Sequence, residues 1–237
     1  MRFSGNVVVV AGGTGGLGHA MSVAFLREEA KVVVTFRNEE EMLALRSDAG
    51  ERAPSLDGQR VDVTDETSVH QFVSGVLAKF GRIDALINTV GGYAGGVKFW
   101  EADLKMFEQM LSLNLRSGLL LSRAVVPAML EKRHGTIVNV ASKAAFDHAA
   151  GTAAYAASKA GAVAMIDSLA TDLKGTGVRV NSVLPSIIDT EANRRAMPKA
   201  DFAKWPKPED IARVILFLCS DDAKVIHGAA IPVYGDS

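Results

Sequence analysis

Seven short runs rich in β-branched residues alternate along the chain with longer segments of helical period, and this alternation restricts the fold more than any other feature. The runs are Val7–Ala11, Lys31–Phe36, Arg60–Val63, Ala85–Asn88, Thr136–Ala141, Arg179–Leu184 and Ala229–Val233. Several are apolar on successive residues, as in VVVV, KVVVTF and TIVNVA. Strands covered on both faces read this way, and parallel sheets are covered on both faces. Between them, Leu17, Met21, Ala24 and Phe25 mark a first helix. Val69, Phe72, Val73, Val76, Leu77 and Phe80 mark another, closed by Gly81. Further helices are expected from about Asp103 to Lys132 and from about Ala153 to Lys174, the latter closed by Gly175. Such a pattern builds βαβ units with right-handed crossovers, hence a doubly wound parallel sheet with helices on both faces.

No linker rich in Pro, Gly or Ser interrupts the 237 residues, so residues 1–237 are expected to form one α/β domain of Rossmann-like type. One segment departs from the rhythm. Residues 185–208 hold four prolines, the pair Arg194 and Arg195, and the large residues Met197, Phe202 and Trp205, with no strand pattern and no long helix. Irregular connections of this length are often lids, and this one follows a strand that should end at the ligand edge of the sheet.

A net charge of −1 gives no electrostatic reason to expect nucleic acid or an anionic membrane as partner. Cys219 is the only cysteine, so no disulfide forms within the chain, and a reducing, cytoplasmic setting is expected. The five histidines show no metal-ligand spacing, and no metal is expected. The apolar residues near the N-terminus run directly into glycines, unlike a signal peptide.

Those glycines, in VVVVAGGTGGLG, can be read in two registers. Gly13, Gly15 and Gly18 spell G-x-G-x-x-G, while Gly12, Gly16 and Gly18 spell G-x-x-x-G-x-G. Either way a strand, a glycine turn and a helix N-terminus form a pyrophosphate site, where main-chain N–H groups and the helix dipole favour negative charge. At the end of the second run, Phe36 stands where an acid would bind the adenosine ribose of NAD, and Arg37 follows. A guanidinium there suits a 2′-phosphate, so NADP(H) is preferred over NAD(H). Glu39 is an alternative ribose acid, displaced into the next helix.

In YAASKAG, Tyr155 and Lys159 are four residues apart in a helical, alanine-rich segment, hence on one face. An ammonium beside a phenol lowers its pKa toward the range useful for acid–base chemistry. Ser142 closes TIVNVAS at the expected C-terminal edge of the sheet. Asn114 sits within the apolar MLSLNLRSGLLL, where a buried amide needs a specific partner.

These residues resemble the classical short-chain dehydrogenase/reductase family over essentially the whole chain. AGGTGGLG matches the family's T-G-x-x-x-G-x-G with Ala11 in the threonine place; Asp62-Val63 matches its D-V. NTVG (Asn88 to Gly91) stands for N-N-A-G, and PSIIDT (Pro185 to Thr190) for P-G-x-x-x-T with Ser186 replacing glycine. The resemblance selects the register of Gly12, Gly16 and Gly18 and implies that Gly13 and Gly15 tolerate other residues. It assigns Gly12, Thr14, Gly16, Leu17 and Gly18 to the cofactor loop, Arg37 to the 2′-phosphate, and Asp62 and Val63 to the adenine. Asn88 and Gly91 form the floor of that site, and Pro185, Ile187 and Thr190 hold the carboxamide. It implies hydride transfer from NADPH to a carbonyl, with Ser142 binding the oxygen, Tyr155 giving the proton, Lys159 tuning Tyr155 and binding the nicotinamide ribose, and Asn114 holding a water. It also implies a homo-oligomer, tetramer or dimer, built through the long central helices and the C-terminal segment.

The small-molecule substrate is less legible. Gly92, Tyr93, Lys143, Phe146, His148, Ser186, Met197, Phe202 and Trp205 are candidates to line its pocket. GGYAGG and DTEANRRAMPKADFAKW are similar to stretches of dihydropteridine reductases, a divergent branch of the same superfamily that lacks the serine retained here as Ser142. A 3-oxoacyl-carrier-protein reductase and a pteridine reductase are therefore alternatives to a general carbonyl reductase. A catalytically silent cofactor sensor or scaffold is the alternative from another class, and the intact Asn/Ser/Tyr/Lys set argues against it.

Overall fold

The computed structural model describes residues 1–237. Seven parallel strands form one sheet in the order β3-β2-β1-β4-β5-β6-β7. They are β1 (Val7–Ala11), β2 (Lys31–Phe36), β3 (Leu56–Arg60), β4 (Ala85–Asn88), β5 (Gly135–Val140), β6 (Val178–Pro185) and β7 (Ala230–Val233). The helices are α1 (Gly16–Arg27), α2 (Glu39–Ala49), α3 (Glu66–Phe80), α4 (Leu104–Leu111), α5 (Ser117–Lys132), α6 (Ala153–Asp172), α7 (Glu191–Ala196) and α8 (Pro208–Cys219).

Successive apolar residues bury both faces of the inner strands, and every residue of β1 is buried. On one face Met21 and Phe25 of α1, Leu45 of α2 and Ile215 of α8 pack with Val8, Val10 and Val34. On the other Phe72 of α3, Leu121 and Met129 of α5 and Ile166 of α6 pack with Val9, Leu86 and Ile137. Strand order reverses between β1 and β4, which places a crevice beyond their C-terminal ends.

Two elements differ from the sequence expectation by more than a residue or two at their ends. The third strand is Leu56–Arg60, not Arg60–Val63. It is an edge strand paired only with β2, so its sequence LDGQR carries no apolar run, while the buried Val61 and Val63 belong to the following turn. The expected Asp103–Lys132 helix is continuous but contains one π turn, Ser112–Arg116, between α4 and α5. Such turns often mark functional sites; this one carries Asn114. Between β6 and α8 the expected irregular segment is observed, broken only by α7 and a short 3₁₀ turn at Phe202–Lys204. No helix is long and apolar enough to cross a membrane.

Candidate active site

The turn after β1 leads into α1 with Gly15 at the N-cap, and neither a side-chain cap nor a first-turn acid satisfies the leading N–H groups. Those N–H groups and the dipole behind them are available to an anion. Gly12 has φ +72°, and a Cβ on Gly18 would lie 2.0 Å from the Gly12 carbonyl oxygen. Gly15 has room for a methyl group. Gly13 does not: its Cβ would stand 2.4 Å from Val34, so here the expected tolerance is corrected by packing against β2. A Cβ on Gly16 would stand 2.8 Å from the Thr190 methyl, so residues 185–208 rest on this turn.

The turn is tied down from both sides. Ser22 donates to the carbonyls of Gly13 and Gly18, both at 2.9 Å, and Thr35 accepts from the Gly12 N–H at 2.9 Å. Thr89 donates to the Ala11 carbonyl at 2.7 Å and lies 3.2 Å from that of Gly12. The NTVG departure therefore supplies a hydroxyl tie on a turn where Ala11 has none. Asn88 lies beneath, bonded to Asn139 at 2.9 Å and to the Val90 N–H at 3.2 Å.

A cavity of about 450 Å³ opens beside this turn, lined by Gly12, Thr14, Gly15, Phe36, Arg37, Asp62, Val63 and Gly91, among others. Thr64 donates to Asp62 twice and holds its carboxyl below the usual range, with Arg37 contributing. The same cavity contains Glu41, whose carboxylate accepts from the Thr14 hydroxyl at 2.8 Å. Sequence reasoning considered Glu39 and missed Glu41. Counting from the Asn38 cap of α2 puts Glu41 in the first turn, but only the tertiary contact shows that it reaches back to the glycine turn.

Thr89 and Gly91 are shared with a second cavity of about 740 Å³. Its walls include Leu17, Ser142, Tyr155, Lys159, Pro185 and Ile187. Of the candidate substrate residues it contains Gly92, Tyr93, Lys143, Ser186 and Met197. Phe146 is exposed elsewhere, and His148 turns to the Ala145 carbonyl at 3.2 Å. Phe202 and Trp205 pair with each other, and Trp205 is buried at a different cavity against α8 and β7.

Ser142 ends the segment after β5, its oxygen accepting from the Ala144 N–H at 3.2 Å. Tyr155 and Lys159 stand one turn apart on α6. Lys159 is buried, and its Nζ donates to the Val140 carbonyl at 3.1 Å. Burial lowers its ammonium to about 8. Burial also raises the Tyr155 phenol above its ordinary value, with the Ser142 hydroxyl pulling the other way and Tyr93 adding to the rise. The expected lowering of the phenol by Lys159 is therefore not the dominant effect in the free chain; desolvation is.

Both amide hydrogens of Asn114 are engaged, and its oxygen accepts one of the two bonds it can. The amide accepts from the Gly92 N–H at 2.9 Å and donates to the Gly92 carbonyl at 3.0 Å and to Ser158 Oγ at 3.0 Å. Ser158 in turn donates to the Tyr155 carbonyl at 2.7 Å. One buried amide thus joins the loop after β4 to the helix that carries Tyr155 and Lys159. A Cβ on Gly91 would stand 2.9 Å from the Asn114 oxygen and 3.0 Å from Lys159 Nζ, so the backbone passes directly over both.

The turn, the uncapped helix end and the two adjoining cavities suit an extended dinucleotide with its reactive ring beside Tyr155. Residues 6–201 match the short chain dehydrogenase family. A 3-oxoacyl-(acyl-carrier-protein) reductase of Thermotoga maritima is 33% identical, over 99% of this chain and 98% of that protein. A D-threitol dehydrogenase of Mycolicibacterium smegmatis is 35% identical, over 99% of this chain and 93% of that protein. The crystal structure of an NAD⁺-bound xylitol dehydrogenase superposes with a TM-score of 0.92 at 25% identity, covering 99% of this chain and 100% of that one.

Proposed function

The chain belongs to the short-chain dehydrogenase/reductase family of oxidoreductases, and on that premise we propose that it is an NADPH-dependent reductase of small carbonyl compounds, reversible to the alcohol. The observation that carries this reading is the meeting of Ser142, Tyr155 and Lys159 at the cavity that adjoins the glycine turn. Bound NADPH supplies a hydride. The Ser142 hydroxyl donates to the carbonyl oxygen and stabilises charge that develops there. Tyr155 delivers the proton. Its phenol carries that proton at neutral pH as any tyrosine does, and burial raises it further in the free chain. The Lys159 ammonium steadies the phenolate left behind and holds the nicotinamide ribose. Asn114 keeps the Gly92 loop and α6 in register and holds the water that links Lys159 to solvent.

For the cofactor, Gly12, Thr14, Gly16, Leu17 and Gly18 take the pyrophosphate, and Asp62 and Val63 the adenine. Asn88 supports the floor with Gly91; Pro185, Ile187 and Thr190 take the carboxamide. Residues 185–208 act as the substrate lid. Preference for NADPH rests on Arg37, exposed in the adenosine-side cavity with Phe36 in the place of a ribose acid. The protein works as a homo-oligomer, tetramer or dimer, a reading supported by the exposed Phe99, Trp100, Leu104 and Leu119 near or along α4 and α5. A 3-oxoacyl thioester is the second substrate reading, favoured by the Thermotoga relative.

The test is consumption of reduced cofactor with a panel of ketones, aldehydes and thioesters, using NADPH and NADH in parallel. Turnover with NADPH is expected, and no turnover with any carbonyl would reject the reductase reading. Arg37→Ala should weaken NADPH by about tenfold or more, the worth of a charge-assisted hydrogen bond, and leave NADH little changed. Equal effects on both cofactors would remove the case for NADP.

A further inference from the structure

The catalytic cavity contains a second phenol. Tyr93 stands edge-on to Tyr155, with ring centroids 5.0 Å apart and planes at 72°. It is held there by the backbone on both sides. Gly92 is clamped by the Asn114 amide through its N–H and its carbonyl. Beyond Tyr93 the loop folds back on it, since a Cβ on Gly95 would lie 2.5 Å from the Tyr93 hydroxyl. The Gly96 N–H then donates to the Gly151 carbonyl at 2.9 Å, tying the loop to the turn before α6. Yet Tyr93 is 66% exposed, and Ile187 in the same cavity is 40% exposed. A fixed aromatic ring left uncovered beside a proton donor is a surface for a ligand to cover.

The charges narrow the ligand further. Lys143 lies 3.5 Å from Asp147 and over the Tyr234 ring at 5.3 Å. Lys159 is buried on the Val140 carbonyl. Ser186 donates to the Tyr234 carbonyl at 2.6 Å, and Asn193 to the Ile188 carbonyl at 2.8 Å. The polar side chains around the substrate space are therefore already engaged within the protein, apart from the catalytic hydroxyls and the Tyr93 hydroxyl. Apart from the buried Lys159, the one cation lining the cavity is Lys143, which an anionic substrate group would have to draw away from Asp147. In the segment above, Arg194 pairs with Asp189 at 2.5 Å, Arg195 with Glu191 at 3.2 Å and Lys204 with Asp201 at 4.0 Å. Three of its five basic residues are thus compensated, which leaves little to attract an acidic carrier protein.

We infer that the substrate is an uncharged cyclic ketone whose ring packs against Tyr93. This rests on the carbonyl-reductase reading and deepens it. A ring brings its contact area already ordered, whereas a flexible chain loses conformational freedom to make the same contact. Tyr93 is then a specificity-determining residue, and the proton still comes from Tyr155.

The test compares kcat/KM for cyclohexanone, 2-hexanone, acetoacetate and acetoacetyl-N-acetylcysteamine in the presence of NADPH. The parent should prefer the ring over the open chain by up to about tenfold, the conformational freedom that a flexible chain gives up on making the contact and a ring does not. Acetoacetate and the thioester should both be poorer still. Tyr93→Ala should bring ring and chain within about twofold, mainly through KM, and Tyr93→Phe should keep the preference. A preference for acetoacetate or the thioester, or a ring preference that survives Tyr93→Ala, would overturn the inference. Saturation-transfer NMR of cyclohexanol on the NADP⁺-loaded protein separates the two readings. If nothing turns over, the reductase reading fails; ring-proton saturation lost in Tyr93→Ala would still support the stacking, and no saturation in the parent would defeat it.

Discussion

At one end of the groove Asn114, Ser142, Ser158 and Lys159 are buried and bonded to one another or to the main chain. At the other end Arg37, Asn38, Glu41 and Asp62 stand exposed on turns and at the start of a helix. Both ends line connected cavities, but they are built from different materials. The buried end fixes atoms, because its polar groups are held by partners within the protein. The exposed end offers charges that can move and that salt can screen. On the reading proposed above, the contrast assigns proton transfer to the rigid end and the choice of cofactor to a place where a single surface substitution can change it.

The sharpest way to break the contrast is Tyr155→Phe. It should lower kcat/KM by about 10²–10⁴-fold, the usual contribution of a positioned acid, while NADPH affinity stays within a few-fold. Steady-state rates and a binding titration check both halves, and undiminished turnover would remove Tyr155 from its role.

Next in size is Lys159→Met. The Lys159 ammonium titrates at about 8 in the fold against an ordinary 10.5. Between those values the unfolded chain binds more protons, so stability rises with pH across that window. The gain is complete above about 10.5 and gone below about 8. Lys159→Met should therefore stabilise the free protein at pH 7 by roughly 3 kcal/mol and flatten this pH dependence, while activity falls. Urea denaturation at pH 7 and pH 10 measures it; a destabilised variant would mean that the buried charge is better compensated than its one carbonyl partner indicates.

Asn114→Ala follows. It leaves the Gly92 N–H without its acceptor and Ser158 without a donor, a cost of about 1–3 kcal/mol. Hydrogen exchange should quicken at Gly92, and kcat should fall more than cofactor affinity. The smallest change belongs to the exposed end. Glu41→Gln removes a negative charge from the cavity that receives the 2′-phosphate in the reading above, so NADPH should tighten by about two- to fivefold relative to NADH. An unchanged ratio in 10 mM salt, roughly a 30 Å screening length, would mean that the carboxylate turns away when cofactor enters.

Much of this architecture is legible in the sequence because burial on both faces writes itself as consecutive valines. The expected bounds of β1, β2 and β4 are those observed. The edge strand was misplaced for the converse reason: LDGQR lies half in solvent, and the apolar signal passes to Val61 and Val63 beyond it. The spacing of Tyr155 and Lys159 is a local property of a helix, and so it is readable. The partners of Asn114 are not, because Gly92 lies 22 residues away and Ser158 lies 44 away. Glu41 escaped for the same reason, and so did the crowding of Gly13, which depends on Val34 of a neighbouring strand. Phe202 and Trp205 look like pocket residues by size alone, yet they pack against each other at the base of the segment.

The Thr190 methyl stands 2.8 Å from the place a Gly16 side chain would take, and residues Ile187, Asn193 and Met197 beside it wall the catalytic cavity. The segment that touches the glycine turn is therefore the one that also walls the second cavity. With the cofactor on that turn, as proposed above, the expected steady-state behaviour is a compulsory order of addition. Product inhibition should show NADP⁺ competing with NADPH at every carbonyl concentration, and the alcohol competing with neither substrate.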